Sequence, residues 1–194
     1  MNYYTIRDDL FSPDIVQGRW HLGALKYGND HLFYDPPVEL MEPGRWPITI
    51  LKDGVETDFS TISGTLPIVS EKIKEALADI KEVANPYRNT VIEPVDIEEK
   101  ILSTSYYIMI TQDRFDCVDE KRSVFHKWSD EDAPTEGHVG QYATFETLFI
   151  DPTKVYGRNI FRLSLSLGTL IVSQLVKDRM ESVAATGVAF TPVT

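Results

Sequence analysis

The chain has 194 residues, 42% of them hydrophobic and 25% charged, which is enough for one well-buried domain and too mixed for a disordered or membrane-embedded chain. Nineteen Lys and Arg stand against thirty Asp and Glu, a net charge of −11; such a field repels nucleic acid and anionic membrane and suits a basic partner, although solubility alone also favours acidity. No apolar run approaches the roughly 18 residues that span a bilayer, Met1-Asn2-Tyr3-Tyr4 lacks the basic-then-apolar pattern of a signal peptide, and the single Cys117 excludes an internal disulfide, so a cytoplasmic protein is expected.

Tyr3-Tyr4-Thr5-Ile6 begins as a strand, and Asp8 to Asp14 reads as a turn or a short capped segment. Gly18-Arg19-Trp20 and Gly44-Arg45-Trp46 share three residues. Between them Tyr34-Asp35-Pro36-Pro37 and Glu42-Pro43-Gly44 are turn chemistry, so residues 13–47 read as loop with short strands. Trp46 to Leu51 alternates as a strand does, and Asp53-Gly54 supplies a hairpin turn into Thr57 to Phe59.

A strand-helix-strand block follows. Ile68-Val69 leads into Ser70, whose hydroxyl suits a helix cap. Ile73, Leu77 and Ile80 then form a buried stripe, with Glu71, Lys72, Lys74, Glu75, Asp79 and Lys81 turned to water. Asn85-Pro86 breaks the helix, and Thr90 to Val95 returns as a strand that closes on Pro94-Val95. Asp96 to Lys100 leads to a strand over Ile101–Thr111, in which Tyr106-Tyr107-Ile108-Met109-Ile110 is apolar on both faces and so belongs near a sheet centre.

The character then changes. Asp113 to Pro134 interleaves Asp113, Asp116, Asp119, Glu120, Asp130, Glu131 and Asp132 with Phe115, Phe125 and Trp128. Thr135 to Gly140 is small and polar, and Tyr142 to Ile150 is strand-like. The last stretch, Asn159 to Val193, reads as strand, strand, helix, strand. Leu170-Ile171-Val172 stops at the capping Ser173, and Leu175, Val176, Met180 and Val183 make the apolar stripe, with Lys177, Asp178 and Glu181 turned to water. Gly187 ends the helix, and Val188-Ala189-Phe190 closes the chain before Pro192. Aligned on the two serines, Gly64-Thr65-Leu66-Pro67-Ile68-Val69-Ser70 lies over Gly168-Thr169-Leu170-Ile171-Val172-Ser173. Two such units are too few for a solenoid. They fit one α+β domain over 1–194 with a mostly antiparallel or mixed sheet: a β- and loop-rich N-terminal region over 1–63, a first block 64–95 and a second block 159–194.

Several of these segments carry a family resemblance. Ile160-Phe161-Arg162-Leu163, Leu170-Ile171-Val172-Ser173 and Thr186-Gly187-Val188-Ala189-Phe190-Thr191-Pro192-Val193 resemble the C-terminal signature of bacterial immunity proteins of polymorphic toxin systems, the group numbered eleven, first catalogued as a domain of unknown function. Tyr106 to Ile110, the Cys117-Val118-Asp119 turn before Ser123, and Leu148-Phe149-Ile150-Asp151-Pro152 fit the same pattern. The likeness covers the C-terminal half well and Trp46 to Val95 loosely, and its motifs are structural. It implies an antitoxin that binds a cognate toxin domain, and it transmits no functional residues. With that implication the acidity gains meaning, because toxins that cut nucleic acid tend to be basic and an acidic inhibitor is steered onto them.

No catalytic constellation stands out. His21, His31, His126 and His138 lack metal-ligand spacing, and the one grouping is His126 and His138 near Asp130, Glu131 and Asp132, which reads first as a solvated acidic loop. Cys117 has no nucleophile fingerprint and reads as a small buried hydrophobe. Phosphate-binding glycine loops, dinucleotide fingerprints and Gly-x-Ser-x-Gly are absent, so no catalytic residue, metal or cofactor is assigned. Arg162 is expected to fix the fold through a paired carboxylate. The expected toxin-binding set is Asp116, Asp119, Glu120, Trp128, Asp130, Glu131 and Asp132, with Trp128 as the aromatic anchor and the carboxylates guiding encounter. The expected partner is thus a protein, with neither nucleic acid nor membrane. Two other classes compete: a small enzyme built on His126, His138 and Asp130, and a scaffold module of a secretion assembly.

Overall fold

Strand alternation sorts the apolar residues into three cores: one inside a curled sheet, one between that sheet and a second, and one on the second sheet's far face. The computed structural model describes residues 1–9, 18–25, 46–63, 65–84, 89–97 and 100–193. Its first sheet has the order β2 (His21–Leu25), β3 (Trp46–Lys52), β6 (Thr90–Ile97), β7 (Tyr106–Thr111), β5 (Leu66–Ser70), β4 (Phe59–Ile62). The outer strands β2 and β4 approach each other, so the six strands nearly close into a barrel around Trp20, Ile48, Ile62, Ile68 and Ile108. Strand β7 is buried throughout: Tyr106, Ile108 and Ile110 face the barrel interior, while Tyr107 and Met109 face the middle core. That is the two-sided strand expected from its sequence.

The second sheet runs β13 (Val188–Val193), β1 (Tyr3–Asp8), β12 (Ser166–Ser173), β11 (Ile160–Leu163), β8 (Arg114–Phe115). A separate ribbon pairs β9 (Val124–Lys127) with β10 (Tyr142–Thr147). With helices α1 (Glu71–Leu77) and α2 (Gln174–Ser182), the fold is α+β and mostly β.

The two blocks are the same unit built twice. Hairpin β4–β5, helix α1 and strand β6 are matched by hairpin β11–β12, helix α2 and strand β13. In both, a further strand is inserted antiparallel between the two that flank the helix: β7 between β5 and β6, β1 between β12 and β13. The registers agree residue for residue. Ser70 lies opposite Tyr106 and Ser173 opposite Tyr3; Tyr107 lies opposite Pro94 and Tyr4 opposite Pro192. Tyr107 donates its hydroxyl to Glu71 and Tyr4 to Gln174, each the first residue of its helix. Lys74 and Lys177 sit over those rings at 4.1 and 5.5 Å. The inserted strand follows its block in the first unit and comes from the other end of the chain in the second, so one unit is a circular permutation of the other.

Reciprocal polar latches join the units. Glu82, fully buried after α1, accepts from Asn159 N (2.9 Å) and Asn159 Nδ2 (3.2 Å) just before β11, and Ser173 Oγ donates to Asn159 Oδ1 at 2.8 Å. Asp58, just before β4, accepts from Ser70 Oγ (2.8 Å), Thr186 N (2.9 Å) and Thr186 Oγ1 (3.0 Å), and pairs with Lys72 at 2.7 Å. Each latch ties the start of one unit to the turn after the other unit's helix. Satisfying these groups matters because a buried polar atom left unpaired costs about 1–3 kcal/mol. Arg162, also fully buried, donates to the carbonyls of Leu167 (2.6 Å) and Thr65 (3.3 Å), so it fixes the fold through main-chain oxygens that bring the two hairpins together.

Several local expectations change. Ser173 caps α2 through Val176 N, but the Ser70 hydroxyl is taken by Asp58 and makes no cap bond. Leu175 is 43% exposed, because it lies about 100° around the helix from Val176. Helix α2 ends at Ser182, with Ala184 taking the left-handed turn (φ 48). Gly187 (φ 78) instead lets β13 start against the Phe59 carbonyl, which a Cβ would approach to 2.5 Å. Pro94 and Pro192 lie within their strands and do not close them. Pro192 is tolerated because β13 is an edge, and Pro94 because β6 passes there from pairing with β7 to pairing with β3. Asp53-Gly54 is no hairpin: β3 pairs with β2 and β6, and Gly54 packs against the backbone of Gly18 and Arg19 while Val55 bridges Arg19. The strand expected from Ile101 starts at Tyr106, with Ile101 98% exposed. The expected break at Asn85-Pro86, the turns at 34–37 and 42–44, Gly64, and His31 lie outside the described residues.

Candidate functional site

The segment Asp113–Asp132 does not stay together. Its opening residues belong to the fold. Phe115 packs on Phe161 edge to face at 5.5 Å, and Arg158 pairs with Asp113 at 2.9 Å. Cys117 is fully buried in the third core, and burial, then Asp116, pushes its thiol up to about 12. A thiol held protonated in this way is the small hydrophobe the sequence suggested. Asp116 itself is exposed. Asp119 makes the expected turn: its carbonyl accepts from Arg122 N and Ser123 N, and its Oδ1 accepts from Lys121 N at 3.2 Å.

The ribbon β9–β10 packs on this core through Tyr142, Phe125 and Phe145. Alternation turns Phe125 inward against Tyr142 and Phe145 (centroids 5.1 and 6.3 Å) and leaves Val124 and His126 outward. Tyr142 N donates to the Leu165 carbonyl, which anchors the ribbon to the β11–β12 turn. Glu120 serves the ribbon base: its Oε1 accepts from Tyr142 Oη (2.6 Å) and Lys127 Nζ (2.7 Å). Those bonds, Lys127 first, hold its carboxyl below the usual range, while burial and then Glu120 push the Tyr142 phenol up. Lys127 also covers the Tyr142 ring at 4.6 Å.

Beyond the base, residues 128–141 form an arm with hydrogen bonds of its own. Trp128 N donates to the Gln141 carbonyl and Gly140 N to the Trp128 carbonyl, closing the loop at its neck. Trp128 is half-buried, whereas Asp130, Glu131, Asp132 and Glu136 are exposed. Of the carboxylates only Asp132 is strongly engaged: its hydrogen bonds from the Ser129 hydroxyl, the Ser129 amide and His126 bring its carboxyl down to about 2. His138 Nδ1 lies 2.7 Å from Thr135 Oγ1. The histidines thus have separate partners, neither of them Asp130. Among the described residues no three His, Cys, Asp or Glu side chains are grouped to hold a metal.

A cavity of about 660 Å³ opens elsewhere, between β1, β12 and β10, lined by hydroxyls such as Thr5, Thr61 and Thr144 with Arg7 and Glu146 as its charges. It takes in none of the candidate residues. No described helix is long and apolar enough to cross a membrane.

What these residues offer is a shaped and charged surface set on a latched β body, the equipment of a protein that acts by binding. The Immunity protein family (Imm11) matches residues 30–194, and the chain belongs to that family. Membership makes it an immunity protein rather than an enzyme and implies that it neutralises a toxin. A search of the curated proteins found no match. The family match leaves out β1, the strand that completes the second unit. Sequence reasoning aligned the two blocks but missed the strand inserted into each, β7 in the first and β1, supplied out of order, in the second; the signal available was the pair Tyr3-Tyr4 and Tyr106-Tyr107.

Proposed function

We propose that this protein, one domain acting in the cytoplasm, neutralises a basic toxin domain, with a nuclease favoured by the charge, by docking its arm and covering the toxin's active site. The observation that carries the reading is the arm: a solvent-exposed loop hydrogen-bonded at its neck, with a half-buried tryptophan and solvent-facing carboxylates. Interfaces draw most of their energy from a few aromatic anchors, and surrounding charge steers encounter. Trp128 is the anchor, and Asp130 and Glu131 meet the partner's cations. Asp116, Asp119 and Glu120 lie toward the ribbon base and contribute field more than contact. The net charge of −11 adds long-range attraction to any basic partner.

The test is co-expression with the toxin domain encoded beside the gene. Cells survive with the wild-type protein and die with an arm double variant, Trp128→Ala with Glu131→Lys. Survival unchanged by that variant removes the arm from the mechanism. Association should also slow steeply with added salt, because exposed charges farther apart than about 8–10 Å are screened at 0.1–0.15 M; a salt-independent on-rate removes the steering.

A further inference from the structure

One carboxylate holds the first turn of the arm. Asp132 Oδ1 accepts from Ser129 N at 2.7 Å and from Ser129 Oγ at 2.6 Å, and Asp132 Oδ2 lies 2.6 Å from His126 Nε2. The His126 ring in turn meets the Trp128 ring edge to face, with centroids 6.1 Å apart and planes at 74°. A chain of contacts therefore runs from that carboxylate through an imidazole on β9 to the aromatic anchor. Asp130 and Glu131 differ. Both are exposed, and among the described residues their side chains make no hydrogen bond or ion pair. Neighbouring acids in one run thus do different work: Asp132 is spent inside the loop, and Asp130 and Glu131 are left for a partner.

The cost of binding explains what such a clasp achieves. A loop that must be ordered on contact loses affinity, whereas a loop already held in its bound form does not. The clasp is exposed, with His126 at 53% and Asp132 at 41%, so it contributes little to the stability of the whole fold. Its effect is local. Resting on the reading that the arm meets the toxin, we propose that Asp132 and His126 are positioning residues: they hold Trp128, Asp130 and Glu131 in the arrangement the toxin meets, without touching it themselves. Charge acts on encounter, while preorganisation acts mainly on dissociation.

The test separates those two effects. Glu136→Ala and Asp132→Ala each remove one negative charge at exposed positions of the arm, so they slow association alike. Only Asp132→Ala opens the clasp. With the purified toxin domain, dissociation should be about ten-fold faster for Asp132→Ala and near wild type for Glu136→Ala. Amide exchange over residues 129–133 of the free protein should rise only in Asp132→Ala, with the thermal midpoint unchanged. Asp132→Asn keeps an acceptor for Ser129, and His126→Gln keeps a donor for Asp132, so both should recover slow dissociation; His126→Ala should not. Equal dissociation rates for the two alanine variants, with binding still dependent on Trp128, overturn the positioning role and leave docking by the arm intact. Faster exchange in Asp132→Ala with no arm variant affecting toxin binding overturns both.

Discussion

The doubled β body and the acidic arm are held together by opposite means. In the body the polar groups that matter have partners far along the chain, buried for Glu82 with Asn159 and Arg162 with Thr65 and partly open to water for Asp58 with Thr186. In the arm they are exposed and their partners lie within a few residues: Ser129 with Asp132, Thr135 with His138, Gln141 with Gly137. Long-range buried bonds make the body one cooperative unit, because breaking any of them strands a desolvated group. Short-range exposed bonds let the arm vary without unfolding the rest, which suits a surface that must match one partner.

The largest effect that sharpens this contrast belongs to Glu82→Ala. It leaves Asn159 N and Nδ2 buried without their acceptor and should cost about 3 kcal/mol, read by denaturant unfolding. A cost below about 1 kcal/mol would mean that the units are held by apolar packing alone. Next comes Asp58→Ala, at about 2 kcal/mol, since its latch is partly open to water. Burial by itself raises the Asp58 carboxyl, but hydrogen bonds from Lys72, Thr186 and Ser70 outweigh it and leave the pKa below the ordinary value. A depressed folded pKa gives stability that is complete above the usual carboxylate range and is lost as pH falls through the folded value. The wild type should therefore lose stability more steeply than Asp58→Asn below about pH 4; parallel curves would remove the latch from the acid response.

In the arm the same measurements should barely move. Trp128→Ala is expected to cost under about 1 kcal/mol of stability while abolishing most toxin binding; a large loss of stability would make Trp128 a core residue. Smallest of all is Glu71→Gln, under about 0.5 kcal/mol, because the second unit already places Gln174 under the equivalent tyrosine. A larger loss would show that the two units, alike in register, are not alike in energetics.

How far the sequence revealed this architecture follows from the range of the interactions. The blocks were readable because their signals are local: capping position at Ser173, apolar spacing in Ile73 and Leu77, the shared Pro94-Val95 and Pro192-Val193. The two-sided burial of Tyr106–Ile110 was readable for the same reason. The insertion of β1 into the second unit was not, since nothing near Tyr3-Tyr4 says that its neighbours are Val172 and Pro192. The Asp53-Gly54 signal misled because that glycine serves a close backbone crossing and not a turn. In the candidate site the acidic and aromatic character was plain, but its division was not. Glu120 is committed to Tyr142 and Lys127, and Asp132 to Ser129 and His126, and composition alone cannot tell a committed carboxylate from a free one.

The central claim is that an acidic arm, energetically separate from a latched body, captures a basic toxin. Calorimetric titration of the toxin domain into a variant lacking residues 129–140 tests it most directly, with thermal unfolding run on the same sample. The account predicts affinity weaker by at least about 100-fold, near 2.7 kcal/mol, with the unfolding midpoint essentially unchanged. Wild-type affinity in the shortened protein would contradict it.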